Sequence, residues 1–304
     1  MAKATLTKKI GRRVGREILR VLIVVIQAVP LSVGLAFGRG FGNFMRFCAR
    51  KRYRVALKNL RIAYGDTLTE AERIRIAKQS FKHFGMFAIE VIKFSSMTQS
   101  EVEQRLEVDE GSFEEYEKLM AEKKGCLLIT GHLGNFEIAG RWIVPRGYEI
   151  IALARESRDR GTTEMMTKLR ERSGVRIITL GMSLKPIIAG LRRNASIAIV
   201  CDQNAADVFV PFFGHPTGTV DGPARIALKM GAPLLFFYCV RDGKGGYRIR
   251  SHGHYVPVST GNEAADIETA MTEVNKRLEE IIRLYPEQWL WFHDRWKSSP
   301  GVNP

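Results

Sequence analysis

Residues 126–140 read CLLITGHLGNFEIAG, and the change of texture along them decides the fold. CLLIT is short, continuous and apolar, as suits a strand covered on both faces, and a glycine-flanked polar turn then leads into a stretch that suits a helix. The alternation recurs downstream. EIIALA (149–154), VRIITL (175–180), SIAIVC (196–201) and PLLFFYCV (233–240) read as strands, separated by NFEIAGRWIV, RDRGTTEMMTKLRERSG, SLKPIIAGLRRN and GPARIALKMG as helices. Strands rich in Ile, Val and Leu that alternate with helices predict an α/β domain on a largely parallel mixed sheet covered by helices. YRIRSHG adds an antiparallel edge strand, and residues 263–284 a late helix. Upstream, residues 52–94 read as helices: YRVALKNLRIAYG stops at Gly65, and Thr69 with Glu72 forms a capping-box pattern. The Met and aromatic residues of 81–94 are assigned to the core. No internal repeat is present, and the chain divides into residues 1–40 and one α/β domain at 41–304.

In an open α/β sheet, reactive side chains gather where strands end and helices begin. His132 stands two residues past CLLIT; Asn135 or Gly134 caps the next helix and puts Glu137 in its first turn. Five helical residues turn through about 500°, so His132 and Glu137 meet only if His132 sits in the turn, which Gly131 and Gly134 permit. A histidine suits proton transfer at neutral pH, and a carboxylate on its second ring nitrogen would fix the tautomer and stabilise the imidazolium. The alternative is a satisfied polar turn. No G-x-S-x-G elbow supplies a nucleophile, so the base would activate a substrate hydroxyl or a water. Arg155 closes EIIALA and Asp202-Gln203 close SIAIVC, so three strands deliver polar groups to one edge. Arg155 suits a phosphate through its planar fork, or an ion pair with Glu156 or Asp159. Asp202 orients His132 or Arg155, or closes an Asx turn with Asn204. Gly34, Gly38, Gly40 and Gly42 follow no strand and there is no Walker loop, which excludes both nucleotide fingerprints. His252 and His254 alternate along the edge strand without a third ligand, so no metal is expected.

The formal net charge is +15, and residues 1–61 hold 15 Lys or Arg against the single acid Glu17. Such one-sided basicity implies an anionic partner surface. Residues 21–38 carry no charge and would span roughly 27 Å as a helix, just short of a bilayer core of about 30 Å. Gly38-Arg39-Gly40 offers no signal-peptide cleavage site, and Pro30 would kink the helix. Before this run Leu6, Ile10, Val14, Ile18 and Leu22 recur every fourth residue, with Lys8, Lys9, Arg12, Arg13, Arg16 and Arg20 on the other side. This is the pattern of a helix on an anionic bilayer, anchored by those arginines and by apolar residues such as Val24. A basic solvated helix followed by a buried one is the alternative. No RNA-binding or zinc-finger motif follows, so nucleic acid is not an expected partner. Cys48, Cys126, Cys201 and Cys239 form no C-x-x-C pair, which fits a reducing cytosol.

As a set, GHLGNFE (131–137), strand-ending Arg155, Asp202-Gln203, VPFFGHPTGTVDGPARIALKMGAPLL (210–235) and YPEQWLWFHDRWK (285–297) resemble the bacterial lipid A biosynthesis late acyltransferases, the lauroyl and myristoyl transferases. RYRVALKNLRIAYG (52–65) and the apolar N-terminal helix match too, so the likeness covers nearly the whole chain. H-x-x-x-x-[DE] alone is shared with glycerol-phosphate and lysophospholipid acyltransferases; its combination with D-Q, F-F-G-x-P-x-x-T-x-x-G-P-A and W-x-W-x-H-x-R-W-K is far more specific. The resemblance implies a glycerol-phosphate acyltransferase-like fold with a membrane-associated helical N-terminal region. It also implies transfer of a fatty acyl chain from acyl carrier protein or acyl-CoA, without further cofactor, to a hydroxyl of a membrane glycolipid at the cytoplasmic face of the inner membrane. His132 would be the general base and Glu137 its partner. Arg155 and Asp202, with Gln203, Asn135 and Arg225, would support the substrate, and Thr219, Gly222 and Pro223 would shape the site. ESRDRG after Arg155 departs from the family's proline- and asparagine-rich pattern, which leaves the acceptor open between a lipid A precursor and phosphatidylinositol mannoside. The same dyad would serve a thioesterase, and an inactive lipid-binding protein could keep the fold.

Overall fold

The computed structural model describes residues 6–154, 159–179 and 184–302. Four long helices come first: α1 (Leu6–Ala28), α2 (Leu31–Cys48), α3 (Arg50–Tyr64) and α4 (Glu70–Phe94). Pro30 has no amide to continue α1, and Lys93 of α4 donates through Nζ to the carbonyls of Gln27 and Val29, both at 2.6 Å. The uncharged run at 21–38 is therefore split between two helices. No helix among the described residues is long and apolar enough to cross a membrane, which corrects the expectation of a near-spanning segment.

Helix α2 instead lies close along α4. A Cβ at Gly42 would meet the Phe81 carbonyl oxygen at 2.1 Å, and one at Gly85 would meet that of Gly38 at 2.1 Å, so the glycines set the backbone separation. Helix α1 buries Ile23 and Ile26 against Ile89 and Ile92 of α4. The outer faces stay apolar: Val14, Ile18, Val21, Leu22 and Val25 on α1 and Phe37, Phe41, Phe44 and Phe47 on α2 are exposed. Thr69 and Glu72 form the capping box of α4, as read from the sequence.

The α/β part continues as α5 (Gln99–Glu103), β1 (Leu106–Val108), α6 (Glu110–Ala121), β2 (Cys126–Thr130), α7 (Ile138–Ile143), β3 (Ile150–Ala154), α8 (Arg160–Glu171), β4 (Arg176–Thr179), α9 (Lys185–Arg192) and β5 (Ser196–Val200). It ends with β6 (Val208–Phe212), β7 (His215–Thr219), α10 (Gly222–Met230), β8 (Leu234–Arg241), β9 (Tyr247–Tyr255) and α11 (Glu263–Leu284). Seven strands form one sheet in the order β1-β9-β8-β2-β5-β3-β4, parallel throughout except for the pair β8–β9. Strand β9 is antiparallel to β8 as expected, but β1 pairs outside it, so it is not the edge. β6 and β7 make a separate hairpin whose turn places Phe213 and Gly214 at φ 50° and 76°, the positive values a two-residue hairpin turn needs.

Helices cover both faces of the sheet. One core includes Leu127 and Ile129 of β2 with the indoles of Trp289, Trp291 and Trp296; the other includes Cys126 and Leu128 of the same strand. A strand buried on both faces thus carries CLLIT, and the polar turn after it opens at the carboxyl end of the sheet's centre.

Candidate active site

Strands β2 and β5 are parallel and in register, with Thr130 opposite Val200. Two residues past each strand stand His132 and Asp202, so the register itself brings them side by side. Asp202 Oδ1 accepts from His132 Nδ1 at 2.7 Å. Asp202 Oδ2 accepts from the His132 amide and from Trp289 Nε1, both at 2.7 Å. The carboxylate is buried and held on three sides, and Nδ1 is thereby fixed as a donor, which leaves the Nε2 lone pair for a proton. Gln203 Nε2 lies 3.4 Å from His132 Nε2.

Two glycines make this turn possible. A Cβ at Gly134, where φ is +62°, would meet the Cys239 carbonyl oxygen at 1.9 Å, and one at Gly131 would press on Asp202 Oδ2 at 3.0 Å. Leu133 bridges to Trp289, and Gly134 N donates to the Gln288 carbonyl, so the segment after α11 straps the turn in place.

Burial pulls the His132 pKa down, but the Asp202 carboxylate and its hydrogen bond, with a further contribution from Glu137, outweigh that and leave it raised above 6.5. Burial pushes Asp202 up; His132 and the hydrogen bonds from its ring, its amide and Trp289 override this and hold the carboxyl at about 2. The adjacent Cys201 is no rival nucleophile, since burial pushes its thiol to about 12.

Glu137 is not the ring's hydrogen-bond partner, which corrects that part of the sequence reading. Its carboxylate accepts from Arg170 of α8, through Nε at 2.9 Å and Nη2 at 2.7 Å, leaving Nη1 uncommitted among the described residues. Burial lowers the Arg170 pKa, and Glu137 more than restores it. Both residues, with His132 and Gln203, line the mouth of a cavity of about 570 Å³ whose interior is built from Leu128, Ile143, Ile150, Val175 and Phe237. Ala139, Gly140, Ala152 and Ala198 keep it open by being small.

Of the other expected site residues, Gly222 and Pro223 line this cavity. Asn135 is buried; its Oδ1 accepts from the Ile138 amide at 3.2 Å and Nδ2 donates to Glu90 at 3.0 Å, but the N-cap of α7 is Glu137, which corrects the expectation that Asn135 or Gly134 caps it. Thr219 is turned into the interior, where its Oγ1 accepts from Arg295 and Asn275. Arg225 is on the surface, paired with Asp221 and Glu263. Asn204 closes no Asx turn with Asp202: its amide donates to His293 Nε2 at 3.1 Å, and the Asp202 oxygens accept from His132 and Trp289. His252 and His254 pair with Glu280 and Glu115. Arg155 lies outside the described residues. Arg16 faces inward to Asp159 at 3.0 Å and Arg20 pairs with Glu17, whereas Arg12, Arg13 and Val24 are exposed. Arg170 and Trp289 were not singled out in the sequence: the first is one of several bases in a helical stretch, the second one tryptophan of a recognised motif.

A family model described as bacterial lipid A biosynthesis acyltransferase matches residues 9–298. The lipid A biosynthesis lauroyltransferase of Escherichia coli is 26% identical over 266 residues, 86% of this chain and 83% of its own. The lipid A biosynthesis palmitoleoyltransferase of the same organism is 24% identical over 256 residues, 83% of this chain and 80% of its own. A phosphatidylinositol mannoside acyltransferase of Mycobacterium tuberculosis is 25% identical over 228 residues, 72% of this chain and 70% of its own.

Proposed function

The chain belongs to the bacterial lipid A biosynthesis acyltransferase family and is an acyltransferase, and on that premise we propose that it moves a fatty acyl chain from acyl carrier protein to a hydroxyl of a lipid A precursor. The observation that carries this reading is the His132–Asp202 pair at the mouth of a large apolar cavity. The cavity receives the hydrocarbon chain, at about 0.8 kcal/mol for each buried methylene. His132 Nε2 takes the proton of the acceptor hydroxyl as its oxygen bonds to the thioester carbonyl carbon. The oxyanion draws on the Arg170 guanidinium, which Glu137 holds beside the mouth. When the intermediate collapses the C–S bond breaks, and the imidazolium returns its proton to the departing thiolate, so His132 ends as it began.

The acceptor is amphiphilic, and the exposed apolar faces of α1 and α2, together with Arg12 and Arg13, suit a helix pair lying in the interface of an anionic membrane. We place the protein at the cytoplasmic face of the inner membrane, where the basic N-terminal helices also suit an acidic carrier protein.

Purified protein given dodecanoyl-acyl carrier protein and a lipid A precursor should form the acylated lipid, and His132→Ala should slow this at least about a hundredfold. Near-normal transfer by that variant would overturn the mechanism. Release of free fatty acid at full rate without lipid would make the protein a thioesterase. Transfer to phosphatidylinositol mannoside alone would move the acceptor to the chemistry of the mycobacterial relative, and a better rate with dodecanoyl-CoA would move the donor.

A further inference from the structure

His132 borders a second, smaller cavity on the side of α4, about 20 Å³ in volume, which is room for one water-sized group. Phe84, Phe87 and Phe136 wall it, with the Phe87 and Phe136 rings stacked at 5.0 Å. Besides His132, the polar side chains of Ser80, His83 and Gln288 line it; the Ser80 hydroxyl donates to the Trp289 carbonyl and the Gln288 amide is tied to the Arg241 backbone, which leaves the His83 ring.

The state of His83 is set by what stands behind it. Its Nδ1 lies 3.1 Å from Arg241 Nη1, and because a guanidinium can only donate, Nδ1 accepts and the ring proton sits on Nε2. Arg241 cannot turn away. Its Nε and Nη2 both donate to Glu90, a fully buried carboxylate that also accepts from Tyr247 Oη at 2.8 Å and Asn135 Nδ2 at 3.0 Å. Burial, and then Arg241, push the His83 pKa to about 3, so the ring stays neutral. No described group accepts from its Nε2. Asn135 belongs to the same turn as His132, so the Glu90 cluster fixes both histidines relative to one another.

We propose that His83 is an acceptor-binding residue: its Nε2–H donates to an oxygen of the hydroxyl-bearing lipid, holding that group in the small cavity beside His132. The donor's hydrocarbon chain takes the large cavity, and the two substrates meet at His132 from opposite sides. This rests on the acyltransfer reading above, and it adds a specificity element to it: a cavity of this size admits one hydroxyl and excludes a substituted one.

The test separates acceptor binding from folding and from the base. His83→Phe keeps the ring and removes the donor; His83→Gln supplies an amide whose oxygen accepts from Arg241 and whose nitrogen donates. With dodecanoyl-acyl carrier protein and a lipid A precursor, His83→Phe should raise KM for the lipid at least about tenfold, the worth of one hydrogen bond, and His83→Gln should restore most of it. KM for the carrier-protein thioester should not change. An equal rise in KM for the thioester, an unchanged lipid KM, or no rescue by a folded His83→Gln would each overturn the proposal. Nitrogen-15 spectra of the wild-type histidines supply a reading independent of any variant: the lipid should shift the His83 Nε2–H signal and the thioester should not, and a His83 signal indifferent to the lipid overturns the proposal. Failure of the wild type to acylate any hydroxyl lipid while it hydrolyses the thioester would instead sink the acyltransfer reading, and this proposal with it.

Discussion

His132 was legible from its place after an apolar strand, and Asp202 was read as able to orient it or Arg155, as the 2.7 Å bond to the ring bears out; that Asp202 rather than Glu137 holds the ring was not legible. Glu137, five residues on, looked like the partner because a sequence shows its near neighbours, but the ring's carboxylate comes from the register of two parallel strands 70 residues apart in sequence. Arg170 was invisible for the same reason, as one base among several on an amphipathic helix. These assignments have different consequences for pH. A base must be unprotonated to work, so with the His132 pKa raised above 6.5 the acidic limb of activity should lie above pH 6.5. Asp202→Asn leaves burial as the dominant influence: in kcat/KM measured against pH, the limb should move below 6.5 and the maximum fall by roughly 10²–10⁴. Glu137→Gln should shift the limb in the same direction but less, since Glu137 is a lesser contributor to the His132 pKa, while transfer falls through the loosened Arg170. A limb that moved further with Glu137→Gln than with Asp202→Asn would return the partner role to Glu137.

Elements with strong local signals were the easily read ones. The strands at 126–130 and 196–200, the capping box of α4 and the helix at 263–284 all carry their own periodicity or caps. Strand β1 has three residues and exists because β9 offers it an edge, and the β6–β7 hairpin sits inside a stretch whose glycines and prolines hide its alternation. The glycines of the apolar N-terminal segment were correctly denied a nucleotide role, but their packing role required knowing that α4 lies against them. That contact has a steep steric penalty. Gly85→Val forces a side chain onto the backbone of Gly38 and Gly42, and should cost about 1–3 kcal/mol of stability, read as a lower urea midpoint. An unchanged midpoint would show that the two helices can separate freely.

At the scale of the whole molecule, α2 has two jobs: its glycine side packs on α4, and its phenylalanine side faces outward. Deleting residues 1–38 would therefore damage the body of the protein along with any membrane contact. Substituting the outer face is cleaner. Phe37→Glu, Phe41→Glu and Phe44→Glu combined should lower binding to vesicles of anionic lipid at least about tenfold in a sedimentation assay, with the melting temperature little changed. Binding undiminished by these charges would remove α2 from the membrane-facing surface.

The strap from Gln288 to Trp289 has a consequence in time. A ribosome delivers residues in order, and His132 and Asp202 emerge well before residue 289. Until that indole arrives, the carboxylate lacks one of its three donors and the turn at Leu133 and Gly134 lacks its outer clasp. A half-made chain thus carries every acid and base needed to attack a thioester without the geometry to do so. Nascent protein should leave the cell's acyl thioesters intact, and activity should switch on only as synthesis passes this tryptophan.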